Sequence, residues 1–255
     1  MSLPYSGKLA VLCLNPEALT VHNDLARRLN LPLRTSVSAL EPYFLTWRDG
    51  CLKLIDHELI KQGGLYVDVM PRPGEQRSWP APKDGLFAQA LGRKTQTVVD
   101  ATTGWGQDSL HMFRMGLDVW CFERSPLMAE LLADGWRRLA ELDWFIRLKL
   151  SAPKLIAKTA LLGLTELDFT PDCIYLDPMF PEKRKKSALS RKNMRVLQEL
   201  LGLDEDKNEL FEVAWQIAGK RVVVKSPDYA EPIAGTPSQR LQGKLLRYDI
   251  YLKTG

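Results

Sequence analysis

Two stretches of this chain hold the residue types that site chemistry requires. "CIYLDPMFP", residues 173–181, is an apolar run that ends in Asp177, Pro178, Met179 and Phe180. A carboxylate placed there can accept hydrogen bonds from a bound amino group. Proline fixes φ and so aims the neighbouring acceptors, and an aromatic face can stack on a flat ring. Earlier, "VVDATTGWGQDSL" sets Asp100, Gly104, Gly106, Gln107 and Asp108 between an apolar run and an amphipathic one. "VWCFERSP" closes another apolar run on Glu123 and Arg124. Glycines in such a loop let backbone approach a ligand where a Cβ would clash, and free N–H groups follow at the helix start. The histidines (His22, His57, His111) and cysteines (Cys13, Cys51, Cys121, Cys173) form no metal-ligand spacing and no C-x-x-C pair. Neither a metal nor a covalent nucleophile is therefore expected.

Two classes of cofactor exploit a glycine loop between strand and helix. A dinucleotide favours G-x-G-x-x-G, with the pyrophosphate on the helix end. Here Ser109 stands at the third glycine, and Asp108 would repel a pyrophosphate. S-adenosylmethionine has no phosphate and carries a sulfonium and an ammonium, so Asp100 before the loop and Asp108 after it suit it better. Glu123 can accept from ribose hydroxyls in either class. Trp105, inside the loop, is placed either to touch a cofactor or to pack.

Asp177-Pro178-Met179-Phe180 resembles the [DN]-P-P-[FY] motif of methyltransferases that act on exocyclic amines of bases, with Met179 in place of the second proline. The residue types answer a chemical difficulty. An aryl amine delocalises its lone pair into the ring and is a poor nucleophile. Hydrogen bonds to the Asp177 carboxylate and to a carbonyl near Pro178 would orient it and favour attack on a methyl group. Phe180 would stack a base exposed or flipped out of its helix. The plain alternative is an Asp-Pro that merely stops a core strand. Beyond the motif come seven cations within residues 183–195: Lys183, Arg184, Lys185, Lys186, Arg191, Lys192 and Arg195. Cations at a helix start oppose the helix dipole, so local stability does not account for them, whereas contacts to RNA phosphates would.

These residues need a scaffold, and the chain is long enough to supply one. Its 255 residues, 45% apolar and 26% charged, fit one large soluble domain or a main domain with an appendage. The formal charge of +4 says little by itself. No apolar run reaches the length of a membrane span, and no signal-peptide pattern opens the chain, so a cytoplasmic protein without membrane association is expected. "KLAVLCL" reads as a strand, "LTVHNDLARRLN" as a helix, and "YFLTWRDGCLKLID" as a hairpin turning at Asp49-Gly50. "GGLYVDVM" (63–70) reads as another strand. "PRPGEQRSWPAPKDG" (71–85), with four prolines and two glycines, reads as a linker or flap.

From residue 84 the pattern becomes α/β. Strands are expected at 97–101, 117–123, 173–177, 220–226 and 244–253, and helices at "LFAQALG", 108–116, 127–142, 191–201 and 208–218. Ser125-Pro126 has the form of an N-cap with proline at the first helical position. This alternation predicts a doubly wound parallel sheet over 84–255, preceded by a small α+β subdomain and linker over 1–83.

Taken in order, "GGLYVDV", "VVDATTGWGQDSL", "CFERSP", "YLDPMFP", "KSALSRKNMRVLQELLG", "KRVVVKSPDYA" and "RYDIY" resemble the bacterial 16S ribosomal RNA guanine-N2 methyltransferases, from about residue 63 to 252. The resemblance implies a Rossmann-like methyltransferase fold, S-adenosyl-L-methionine as cofactor, and 16S rRNA or the small ribosomal subunit as partner. Residue by residue it places the cofactor on Gln107, Asp108, Glu123, Arg124, Thr159, Ala160 and Asp177. The chain departs from the family where Gln107 replaces a common arginine, where Thr159-Ala160 replaces two serines, and where the segment after residue 70 replaces a basic, glycine-rich stretch. The motifs alone leave three other readings open: an N6-adenine or other amino methyltransferase, a nucleotide-dependent oxidoreductase, and a non-catalytic RNA-binding assembly factor.

Overall fold

The computed structural model describes residues 5, 7–37, 41–57, 63–70, 79–179, 196, 199–201 and 206–253. They divide into two compact units, one within Met1–Val67 and Glu182–Leu203, the other within Asp68–Pro181 and Asp204–Gly255.

The first unit holds a four-stranded sheet. Its strands are β1 (Leu9–Leu12), β2 (Leu33–Arg34), β3 (Tyr43–Arg48) and β4 (Cys51–Asp56), in the order β2-β1-β3-β4. The expected hairpin is present, with Arg48 paired to Cys51 across Asp49 and Gly50. Both turn residues have positive φ, 54° and 73°, as a two-residue turn matched to strand twist demands. Helix α1 (Leu19–Leu29) buries Leu25, Ala26 and Leu29 and ends on Asn30 in the left-handed conformation. The strand expected over 63–70 is not formed. Leu65 makes a single antiparallel bridge to Leu54, and the neighbouring residues run on without a ladder.

The second unit is built on seven strands: β5 (Thr97–Asp100), β6 (Asp118–Phe122), β7 (Lys154–Ile156), β8 (Cys173–Leu176), β9 (Arg221–Pro227), β10 (Gln239–Gln242) and β11 (Leu246–Leu252). Their order is β10-β11-β9-β8-β5-β6-β7. The run β7-β6-β5-β8-β9 is parallel, as expected for β5, β6, β8 and β9, while β11, expected in the same parallel sheet, lies antiparallel between β9 and β10. Val98 and Val99, all four residues of β8, and Val222–Val224 are at most 1% exposed. Such unbroken apolar runs arise where helices cover both faces of a sheet. The helices are α2 (Gly85–Leu91), α3 (Gln107–Arg114), α4 (Pro126–Ala140), α5 (Asp143–Arg147), α6 (Ala160–Gly163) and α7 (Lys207–Ile217). The Ser125 hydroxyl accepts from Met128 N at the start of α4, with Pro126 in the first turn, as the sequence indicates. The short strands β7 and β10 had no counterpart in the sequence reading.

The chain winds outward from β5 through β6 to β7, then returns to β8 on the other side of β5. Strand order therefore reverses between β5 and β8. In open α/β sheets that point, at the carboxyl ends of the strands, is where ligands bind.

Candidate active site

Every cofactor position inferred from the sequence lies at the carboxyl edge of this sheet. Asp100 ends β5; Gly104, Gly106, Gln107 and Asp108 form the loop and start of α3; Glu123 and Arg124 follow β6; Thr159 and Ala160 follow β7; Asp177 follows β8. Their side chains play different parts.

Asp100 is 1% exposed and turned inward. Its Oδ1 accepts from Thr102 N (3.1 Å) and its Oδ2 from the Ser109 hydroxyl. Burial pushes its carboxyl up to about 7, the Asp108 charge adds to that, and the Ser109 bond works against it. Asp100 thus ties the strand end to the first turn of α3 and shapes the loop.

The two loop glycines differ. Both have positive φ, 53° at Gly104 and 71° at Gly106. A Cβ on Gly106 would stand 2.7 Å from Leu132 Cδ2 and 3.1 Å from Trp136, so that glycine is required by packing on α4. A Cβ on Gly104 would meet nothing nearer than Thr102 O at 3.9 Å. The space in front of Gly104 is open, and it is there that a ligand can approach the backbone. Gly104 N donates to Glu123 Oε2 (3.0 Å), while Ser125 N donates to Glu123 Oε1 (2.7 Å). The Glu123 carboxylate is thereby fixed beside the loop. The Trp105 indole N–H is buried without a hydrogen-bond partner among the described residues. Open space at Gly104, a fixed carboxylate after β6 and a buried unmatched donor fit a nucleoside-bearing cofactor.

Asp108, Tyr175, Asp177 and Lys225 meet at the switch point. The Tyr175 hydroxyl donates to Asp108 Oδ2 (2.6 Å). Lys225 Nζ donates both to that same oxygen (2.7 Å) and to Asp177 Oδ2 (2.8 Å). Asp177 N in turn donates to the Thr102 hydroxyl (2.6 Å), which locks the strand end to the glycine loop. Burial works to lower the Lys225 pKa, but Asp177 and Asp108 overcome it and carry the ammonium above the usual lysine range. Burial and the same carboxylates push Tyr175 well above the usual phenol range. The Asp177 side chain is 37% exposed and that of Lys225 23%, so the pair faces outward where Asp100 does not.

Other inferred positions have partners of their own. Gln107 Nε2 donates to Asp68 O (3.3 Å) and Arg124 pairs with Asp206 (3.2 Å). Thr159 occupies the N-cap position of α6 without a side-chain capping bond, and Ala160 is buried. Pro178 is buried and Met179 half-buried. Phe180 and the cations Lys183, Arg184, Lys185, Lys186, Arg191, Lys192 and Arg195 lie outside the described residues. Lys225, Tyr175 and Thr102 are the residues that sequence reasoning did not single out. The available signal is a cation closing the apolar run "VVVK" and a lone hydroxyl inside "CIYLD". Among the described residues no histidine, cysteine and carboxylate cluster could hold a metal ion, and no helix is long and apolar enough to cross a membrane.

The chain is similar to known proteins over most of its length. The model of a SAM-dependent methyltransferase family matches residues 24–253. The chain is 38% identical over 252 residues to a ribosomal RNA small subunit methyltransferase J of Tolumonas auensis, covering 96% of this chain and 98% of that one. A protein of the same name from Coxiella burnetii is 36% identical over 249 residues, with 96% of each chain covered. Another from Pectobacterium atrosepticum is 42% identical over 209 residues, 79% of this chain and 83% of that one. The crystal structure of a SAM-dependent methyltransferase from Neisseria gonorrhoeae superposes with a TM-score of 0.68 at 26% identity, covering 96% of each chain.

Proposed function

The chain belongs to the SAM-dependent methyltransferase family, and on that premise we propose that it methylates the exocyclic N2 amine of a guanine in small-subunit ribosomal RNA. The observation that carries this reading is the placement of Asp177. Its carboxylate stands at the end of β8, at the switch point, held by Lys225 and followed by a buried proline. The relatives' printed name, ribosomal RNA small subunit methyltransferase J, supports RNA of the small subunit as substrate. A bacterial rRNA substrate places the reaction in the cytoplasm.

S-adenosylmethionine, when bound, would supply an electrophilic methyl, its carbon–sulfur electron pair staying on sulfur as the neutral thioether and the proton of the methylated nitrogen passing to solvent. The chain's residues do the rest. Gly104 opens the loop, Glu123 holds beside it the carboxylate assigned to the ribose, and Asp108 supplies negative charge near the helix start. Asp177 accepts a hydrogen bond from the guanine amino group and turns its lone pair toward the methyl. That contribution is orientation and electrostatics rather than covalent chemistry. The basic run 183–195 grips phosphates without reading sequence. Transfer of a labelled methyl group to small-subunit RNA, or to particles lacking the modification, tests this directly. Absence of transfer to either, with cofactor binding intact, would remove the proposed substrate.

A further inference from the structure

The ammonium of Lys225 is shared between two carboxylates that belong to different halves of the site. Asp108 sits on the cofactor side, at the start of α3, and Asp177 on the acceptor side, at the end of β8. The lysine reaches both because β9 is next to β8 in the sheet and ends at the same edge. Aromatic residues stand next to it in the sheet. Tyr248 of β11 is its partner across the ladder. Phe87 of α2 stacks on Tyr248 at 5.6 Å and meets Tyr175 edge-on at 5.3 Å. Tyr175 completes the cluster by donating to the Asp108 oxygen that Lys225 also holds.

Resting on the methyltransferase reading above, we propose that Lys225 is a positioning residue. One ammonium fixes Asp177 for the acceptor amine and sets the net charge on Asp108 and Asp177 that a bound sulfonium would experience. Geometry supports this role. An aspartate with side-chain freedom cannot hold an amino group in line, and a charged hydrogen bond at 2.8 Å removes that freedom. Electrostatics supports it as well. Two carboxylates around one ammonium leave one net negative charge, enough to favour a sulfonium over the neutral thioether left after transfer. With the ammonium removed, two negative charges would remain, and that preference would become steeper. Lys225 therefore limits how strongly the site discriminates between cofactor and product, while keeping Asp177 in place.

The test uses Lys225→Met and Lys225→Arg in the full chain. Calorimetry measures the affinities of S-adenosylmethionine and S-adenosylhomocysteine, and steady-state assays separate kcat from KM for RNA. For Lys225→Met the expected results are a kcat lowered by roughly 10-fold or more and an affinity ratio shifted toward the sulfonium by about 5-fold or more. Arginine should restore both in part. A kcat within about twofold of wild type, or equal weakening of both ligands with an unchanged ratio, would overturn the proposal. Thermal melting checks the fold, and Lys225→Gln replaces the methionine variant if the latter does not fold. Failure of the function reading looks different: the wild-type protein then transfers no methyl to RNA, while the ligand ratio still reports on Lys225.

Discussion

Lys225 Nζ stands 2.8 Å from Asp177 Oδ2, so the carboxylate proposed to grip the acceptor amine is already held by a cation. Asp177→Ala removes the acceptor that both the lysine and the amine use. Methyl transfer should fall about 100-fold or more, while thermal melting stays near wild type because the side chain is partly exposed. Turnover close to wild type in this variant would exclude the assigned role.

Asp100 makes stability depend on pH. Its folded pKa, about 7, lies above the ordinary 3.8, so the folded state holds the proton more tightly than the unfolded chain does. Stability should then decline as pH rises between about 4 and 7 and level off above. Asp100→Asn removes this component. Its melting temperature relative to wild type should improve with rising pH, by on the order of several degrees between pH 5 and 8. Melting curves across that range measure it, and a constant difference would contradict the assignment.

The two glycines of the loop should separate packing from binding. In Gly106→Ala the new Cβ meets Leu132 at 2.7 Å on a backbone of positive φ, so the protein should melt several degrees lower. In Gly104→Ala the methyl enters open space, so only the strain of the positive φ should lower melting, by less than at Gly106, and cofactor affinity measured by calorimetry should fall as well. Equal melting temperatures for the two variants would be inconsistent with the packing seen at Gly106.

Reversing charge at Lys183, Arg184, Lys185 and Lys186 should weaken RNA binding and flatten its dependence on salt. Each lost phosphate contact should reduce the slope of log affinity against log salt by about 0.7–0.9. Cofactor affinity serves as the control and should not change. An unaltered salt slope would assign these cations to a solvated surface.

Much of this site is legible in the sequence because its acids end apolar runs. Asp100, Glu123 and Asp177 each close or follow a segment too apolar to be anything but a buried strand, and glycines mark the turn between the first strand and its helix. Lys225 has no comparable signal. Its contacts to Asp177 and Asp108 span 48 and 117 positions, and nothing local in "RVVVKS" states which carboxylates await it across the sheet. The roles of Asp100 and Gly106 likewise depend on tertiary neighbours, Ser109 for one and Leu132 for the other. In the fold, β7 and β10 escape notice because three or four residues carry too little periodicity. The antiparallel direction of β11 is set by pairing with β9, which no residue pattern encodes. At 63–70 the apolar residues suggest a strand, yet only Leu65 finds a ladder partner, and the segment forms a bridge instead.

The central claim is that the acceptor is a guanine amino group. Small-subunit RNA that lacks the modification should be incubated with the protein and methyl-labelled S-adenosylmethionine, digested to nucleosides and separated by chromatography. The account predicts label in N2-methylguanosine, lost when Asp177→Ala replaces the wild-type protein. Label in N6-methyladenosine or any other nucleoside, or N2-methylguanosine formed equally by the Asp177→Ala variant, would contradict it.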